Sequence, residues 1–103
     1  MSPSSPALVV GRISIRDAEA WSAYRAQVPA SLEAFGGRIL ARAAGGVLLG
    51  GHLAGTAAPH PDVVVLQFPD AGQAQAWFDS PGYQALVPLR ERAADVVLTL
   101  YPG

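Results

Sequence analysis

The chain has no cysteine and no lysine. Without a thiol there is no disulfide, no thiolate nucleophile, no iron–sulfur ligation and no cysteine-bound zinc. Charge is sparse as well: Asp, Glu, Lys and Arg make up 15% of the residues, against 50% hydrophobic. The seven basic residues are all arginines, scattered from position 12 to 92, and eight acids bring the net charge to −1. A basic block is missing, and with it the electrostatic footprint of a nucleic-acid partner. No apolar run reaches membrane-spanning length, and Met1–Pro6 lacks the basic-then-apolar order of a signal peptide. No membrane partner is expected, and a cytoplasmic location is the simplest expectation.

What is present suffices for one domain. At 103 residues the chain can bury a single modest core. Residues 1–6, rich in Ser and Pro, read as a flexible leader, and 7–103 as one domain. The apolar excess has two readings: surface buried between subunits, or small alanines that raise the fraction without forming a patch.

Ala7–Ile15 reads as a first strand, in which Gly11 either leaves space beside a pocket or relieves a twist. From Asp17, Trp21, Tyr24, Val28, Leu32 and Phe35 recur at helical spacing, with Pro29 predicting a kinked or divided helix that ends at Gly36-Gly37. Arg38–Ala43 and Val47–Leu49 flank Ala44-Gly45-Gly46, a pattern that predicts a tight hairpin. Residues 50–62 form an irregular crossing, and Val63–Phe68 is a strand for the middle of a sheet. Asp70 and Gln73 have capping-box spacing ahead of a short helix carrying Ala74, Trp77 and Phe78. Ser80-Pro81-Gly82 turns the chain into a second helical segment through Tyr83, Leu86, Leu89 and Arg90, and Val96–Tyr101 closes as a strand.

The order βαββαβ predicts an α+β, ferredoxin-like sandwich with its helices on one sheet face. Strongly apolar strands leave the other face in need of a cover. A second subunit's sheet would supply it and make a dimeric α/β barrel, unless residues 50–62 fold over that face.

The stretches Tyr24–Ile39, Phe68-Pro69-Asp70 and Ala76–Arg90 together resemble the DUF1330 family, within the dimeric α/β-barrel superfamily. The resemblance spans nearly all of the chain after the leader. It implies a homodimer with small clefts between sheet and helices, and no particular reaction. Other branches of the superfamily include cofactor-independent monooxygenases, lactone isomerases, haem-binding enzymes and noncatalytic stress proteins. The chain departs from the common family pattern around Pro61-Asp62-Val63, where a basic residue is expected, and at Gln67, where Glu is expected. A neutral Gln67 cannot serve as a base.

Tyr24, Phe35, Arg38, Trp77, Tyr83 and Arg90 assemble a candidate ligand cleft: aromatic faces to sandwich a flat molecule, and arginines for a carboxylate or enolate oxygen. The same aromatics have the spacing of helix-to-sheet packing. The two arginines also have carboxylate partners within reach in Glu33, Asp79 and Glu91. His60 and Tyr83 are the candidates for proton transfer. No cofactor motif is found, and no metal is expected, because His52, His60 and Asp62 lack a fourth ligand and a supporting shell. The leading expectation is a homodimeric domain binding a small, partly apolar organic acid or aromatic metabolite. A cofactor-independent isomerase or monooxygenase, with Arg stabilising an oxyanion and His or Tyr moving a proton, is the enzymatic alternative. A structural or protein-interaction dimer without ligand is the third reading.

Overall fold

Alternation along the first strand sets the layers. The computed structural model describes residues 5–103; the expected leader lies outside the described residues for positions 1–4, and its Ser5 and Pro6 are exposed. In β1 (Ala7–Ile15) the odd positions Ala7, Val9, Gly11 and Ile13 are buried, and Arg12 between them is exposed. Period-two burial of this kind gives one face to the helices and the other to the outside. β2 (Arg38–Ala43), β3 (Asp62–Phe68) and β4 (Ala94–Tyr101) join β1 in the order β2-β3-β1-β4, every neighbour antiparallel. This is the ferredoxin-like strand order read from the sequence, with β3 in the interior.

The helices cover one face. α1 (Ala18–Leu32) is capped by Asp17, whose carboxylate accepts from the Ala20 N–H at 3.1 Å. It runs through Pro29 without ending there, then tightens into a 3-10 turn over Glu33–Phe35. Gly36 stops it in the left-handed region, φ 68°. α2 (Ala71–Asp79) begins at Asp70, which accepts from the Gln73 N–H at 2.8 Å. Ser80 closes α2 and caps α3 (Pro81–Gln84), and α4 (Val87–Ala93) packs against α1. Val9, Tyr24, Val28, Leu32, Leu66, Phe68, Trp77 and Tyr83 form the main core between the layers.

Two expectations are corrected. The dimeric α/β barrel does not describe this structure, which is a mixed α/β fold with one open four-stranded sheet, and a homodimer is not shown by it. The sheet is open, with β2 and β4 as its edges. The shortest molecular dimension, 17 Å, is that of one sheet plus one helix layer. The uncovered face also carries its own polar pairs: Arg38 bonds Gln67, and His60 bonds Asp95. The second correction concerns Ala44-Gly45-Gly46, which does not start a hairpin with Val47–Leu49. Val47 makes a single bridge to Ala57, Leu49 is 95% exposed, and β2 pairs instead with β3. The Gly46 N–H donates to the Pro61 carbonyl at 2.7 Å, so the loop closes on itself.

A close approach fixes the exit of the 3-10 turn. A Cβ at Gly37 would lie 2.6 Å from Phe68 Cε1, and that ring is 1% exposed. Gly37→Ala is expected to cost about 1–3 kcal/mol, read as a lower denaturant midpoint at unchanged m-value. A second expectation comes from Tyr24, 7% exposed, whose hydroxyl lies 2.9 Å from that of Tyr83. Burial, then the facing Tyr83 hydroxyl, holds the Tyr24 phenol far above its ordinary value of 10.0. Below that pH neither folded nor unfolded chain ionises Tyr24; above it the unfolded chain loses the proton and the folded chain keeps it. Stability therefore falls as pH rises, by up to about 1.4 kcal/mol per pH unit from this group. Denaturant titrations from about pH 9 to about pH 11 are expected to show a shallower alkaline loss for Tyr24→Phe than for wild type.

Candidate functional site

α1 stands off the sheet along part of its length, leaving a cleft of about 430 Å³. Its floor is the helix-side face of β1, β3 and β4: Ile13, Val64, Leu66, Val96 and Leu98. Trp21, Tyr24, Arg25 and Val28 line it from α1, which the three- and four-residue spacing places on one helical face. Trp77 lines it from α2. The volume and the mostly apolar, aromatic lining are those of a small-molecule pocket. Charge enters at Arg25, Arg42 and Asp62.

Gly11 lies in that floor. A Cβ there would meet Val64 Cγ1 at 2.9 Å and Leu98 Cδ2 at 3.1 Å. The glycine lets these two cleft-lining side chains close over the strand.

Arg42 reaches the cleft through an irregularity. Arg38 pairs with Gln67 and Ile39 with Leu66, but the register shifts there, so that Ala41 pairs with Val65 and Arg42 with Val64. In unbroken alternation Arg42 would share Arg38's face; the bulge transfers it to the helix side, beside Val64.

The proposed site residues divide between places. Tyr24 and Trp77 both line the cleft. Tyr83, fully buried on α3, is linked to it through Tyr24. Arg90 on α4 donates from Nη1 to the Tyr83 hydroxyl at 2.8 Å and from Nη2 to Glu91 Oε1 at 2.9 Å. Phe35 packs against the core without lining the cleft. Arg38 lies on the uncovered face, its Nε and Nη2 both donating to Gln67 Oε1, at 2.9 and 2.6 Å. It does not meet Arg90. His60 is 2.7 Å from Asp95 Oδ2, with Asp95 at an uncovered-face position of β4 opposite Ser14. The structure therefore does not bring His60 and Tyr83 together.

Trp77 is fixed by its own polar atom, Nε1 donating to Ser31 Oγ at 3.0 Å, while Ser31 donates to the Val28 carbonyl at 2.7 Å. Its ring centroid lies 4.2 Å from that of Tyr83 and 5.4 Å from that of Phe68. Burial alone would lower the Arg90 pKa, but its bonds to Glu91 and Tyr83 outweigh that and raise it above the ordinary value. Among the described residues, Arg90 Nε is buried with no hydrogen-bond partner. No three His, Asp or Glu side chains among the described residues stand close enough to hold a metal ion.

Sequence reasoning placed Trp21 on the packing stripe, kept Arg42 with Arg12 as weaker alternatives to Arg38 and Arg90, weighed Asp62 only beside the two histidines as a metal ligand, and passed over Arg25. Arg25 was findable, being four residues after Trp21 on the same helical face. Arg42's place in the cleft was not, because only the bulge turns it inward.

No curated protein matches the chain in sequence. Among solved structures it is similar to RPA0582, a protein of unknown function from Rhodopseudomonas palustris, at 19% identity and a TM-score of 0.75, over 97% of this chain and 83% of that one. It is similar to SnoaB, a cofactor-independent oxygenase from Streptomyces nogalater, at 12% identity and a TM-score of 0.66, over 97% of this chain and 94% of that one. HapK from Hahella chejuensis is similar at 17% identity and a TM-score of 0.58, over 94% and 91%. At these identities the likeness is one of fold. The family is shown by sequence: residues 6–103 match DUF1330, a domain of unknown function, and the chain belongs to that family.

Proposed function

We propose that the protein takes a small, electron-rich aromatic or enolisable ring compound into the α1–sheet cleft and acts on it as a cofactor-independent monooxygenase. The observation that carries this reading is the cleft itself: about 430 Å³, walled by Trp21, Tyr24, Trp77 and aliphatic side chains, with few polar groups. The fold likeness to SnoaB, an oxygenase that needs no cofactor, supports it over simple binding.

The chemistry asks little of the protein. A ring CH2 flanked by a carbonyl loses a proton and becomes an enolate, whose carbon donates electrons to dioxygen and forms a C–O bond. Protonation gives a hydroperoxide, and loss of water leaves a carbonyl, so that CH2 and O2 become C=O and H2O. The substrate supplies the electrons. The cleft supplies a water-poor enclosure, orientation and stabilisation of the enolate oxygen. Among the described residues Asp62 is the one carboxylate lining the cleft and is the proton acceptor; its Oδ1 takes a bond from the Gly45 N–H at 3.1 Å. This role moves from His60, which lies across the sheet.

Oxygen uptake with cyclic 1,3-diketones and polycyclic phenols, in metal-free buffer without flavin, is the direct test. Uptake equimolar with ketone or quinone product, and kcat reduced about a hundredfold in Asp62→Asn, is expected. Tight binding of the same compounds with no uptake would remove the oxygenase reading and leave a binding domain. Gly11→Ala, which pushes Val64 and Leu98 into the cleft, is expected to weaken binding of bicyclic ligands about tenfold in a calorimetric titration.

A further inference from the structure

We propose that Tyr24 is the cleft's hydrogen-bond donor to a phenolate or enolate oxygen, and that Arg90 holds it in that role through Tyr83. The inference rests on the reading that a ligand occupies the α1–sheet cleft, and it fixes the substrate class: a ring compound with an ionisable oxygen.

The direction of the hydrogen bonds carries the argument. A guanidinium has donors and no acceptor, so in the 2.8 Å bond from Arg90 Nη1 the Tyr83 oxygen accepts. Tyr83 is 0% exposed, and the other partner of its hydroxyl is Tyr24, 2.9 Å away. If Tyr24 donated to Tyr83, the Tyr83 proton would be left in the interior without an acceptor, at a cost of about 1–3 kcal/mol. Tyr83 therefore donates to Tyr24. That leaves the Tyr24 proton with no acceptor among the described residues, on a side chain that lines the cleft.

The chain begins at a charge that is only partly neutralised. Glu91 takes one Arg90 nitrogen at 2.9 Å, but the carboxylate side chain is 64% exposed while that of Arg90 is 11% exposed. Water screens the acid more than the guanidinium. Arg90 Nε, buried without a partner, adds to the uncompensated positive charge. Each hydroxyl in such a series is polarised by the one before it, so a terminal Tyr24 O–H donates more strongly than an isolated phenol. A neutral donor is what an oxyanion needs, and the burial that keeps Tyr24 protonated prevents it from competing as an anion. Arg25, Arg42 and Asp62 also line the cleft and act on any bound charge, so the test has to separate the relay from them.

The probe is 4-nitro-1-naphthol, whose phenolate absorbs in the visible, paired with 1-nitronaphthalene, which lacks the hydroxyl. Wild type is expected to lower the pKa of the bound naphthol by about one unit, an approximately tenfold preference for phenolate. Tyr24→Phe is expected to lose most of that shift, with only the through-space contribution of Arg25 and Arg42 left, and to weaken nitronaphthalene binding far less than naphtholate binding, because the ring and the other apolar walls remain. Arg90→Gln, which keeps a donor and loses the charge, is expected to lose most of the shift, and Arg90→Lys to restore part of it. Melting temperatures of all variants identify any that fail to fold, and Arg25→Gln serves as the through-space control. If both probes bind and the naphthol pKa is the same in wild type and Tyr24→Phe, the relay is wrong and the cleft stands. If neither probe binds wild type, the cleft reading falls and the inference falls with it.

Discussion

Trp77 is the joint on which the arrangement depends. Its ring is 1% exposed, between Phe68 of β3 and Tyr83 of α3, and its indole N–H is bonded to Ser31 of α1. One side chain thus ties α1, α2, α3 and the sheet together. A buried tryptophan removes some 150–250 Å² from water, a large share of what a small domain has to offer. The N–H would be a liability in such a place without an acceptor, and Ser31, anchored in turn on the Val28 carbonyl, provides one. The same ring bounds the cleft, so the element that holds the layers together also sets how far α1 stands from the strands.

Strand parity then sorts the chemistry. Positions on β1, β3 and β4 alternate strictly between the helix side and the uncovered side, and a polar side chain belongs to one or the other. Leu8, Val10, Val63, Val65, Val97 and Thr99 fall by register on the uncovered side, with Arg38, Gln67 and Asp95 among them. His60 and Arg38 are satisfied there by Asp95 and Gln67, and neither can serve a ligand between α1 and the sheet. The neutral Gln67 is an acceptor well matched to Arg38; both guanidinium contacts fall on its single amide oxygen. The bulge in β2 breaks that parity, and it delivers Arg42 to the cleft.

How much was legible follows from the range of the interactions. Period-two and period-3.6 patterning, the Asp70–Gln73 cap and the Gly36-Gly37 stop are local, and β1 occupies the span its residues announced. The strand order followed from connection rules acting on that element order. Ala44-Gly45-Gly46 misled because local hairpin chemistry lost to pairing with the more strongly β-branched Val63–Phe68 strand, in the register Ala43 to Val63. The barrel expectation came from strand hydrophobicity alone, and hydrophobicity does not say what covers a face. Within the site, the aromatic members were readable as a helix-to-sheet set. The separation of Arg38 from Arg90 on α4 was not, because it depends on which side of β2 Arg38 occupies after the register is fixed.

Stability does not require the Arg90–Tyr83–Tyr24 series. Replacing a buried ionic or polar group by apolar side chains of similar volume is often neutral or stabilising, since desolvating the charge costs several kcal/mol. Here a guanidinium is held largely out of water with one nitrogen unbonded, and two phenol hydroxyls are placed where phenylalanines would pack as well. The aromatic contacts among Trp77, Tyr83 and Tyr24 need only the rings. A fold seeking stability alone gains little from ending that series on a hydroxyl beside a mostly apolar cleft. The arrangement is economical for a site that must stabilise charge as it forms on a bound oxygen, because the donors are already aligned and need no reorganisation when the charge arrives.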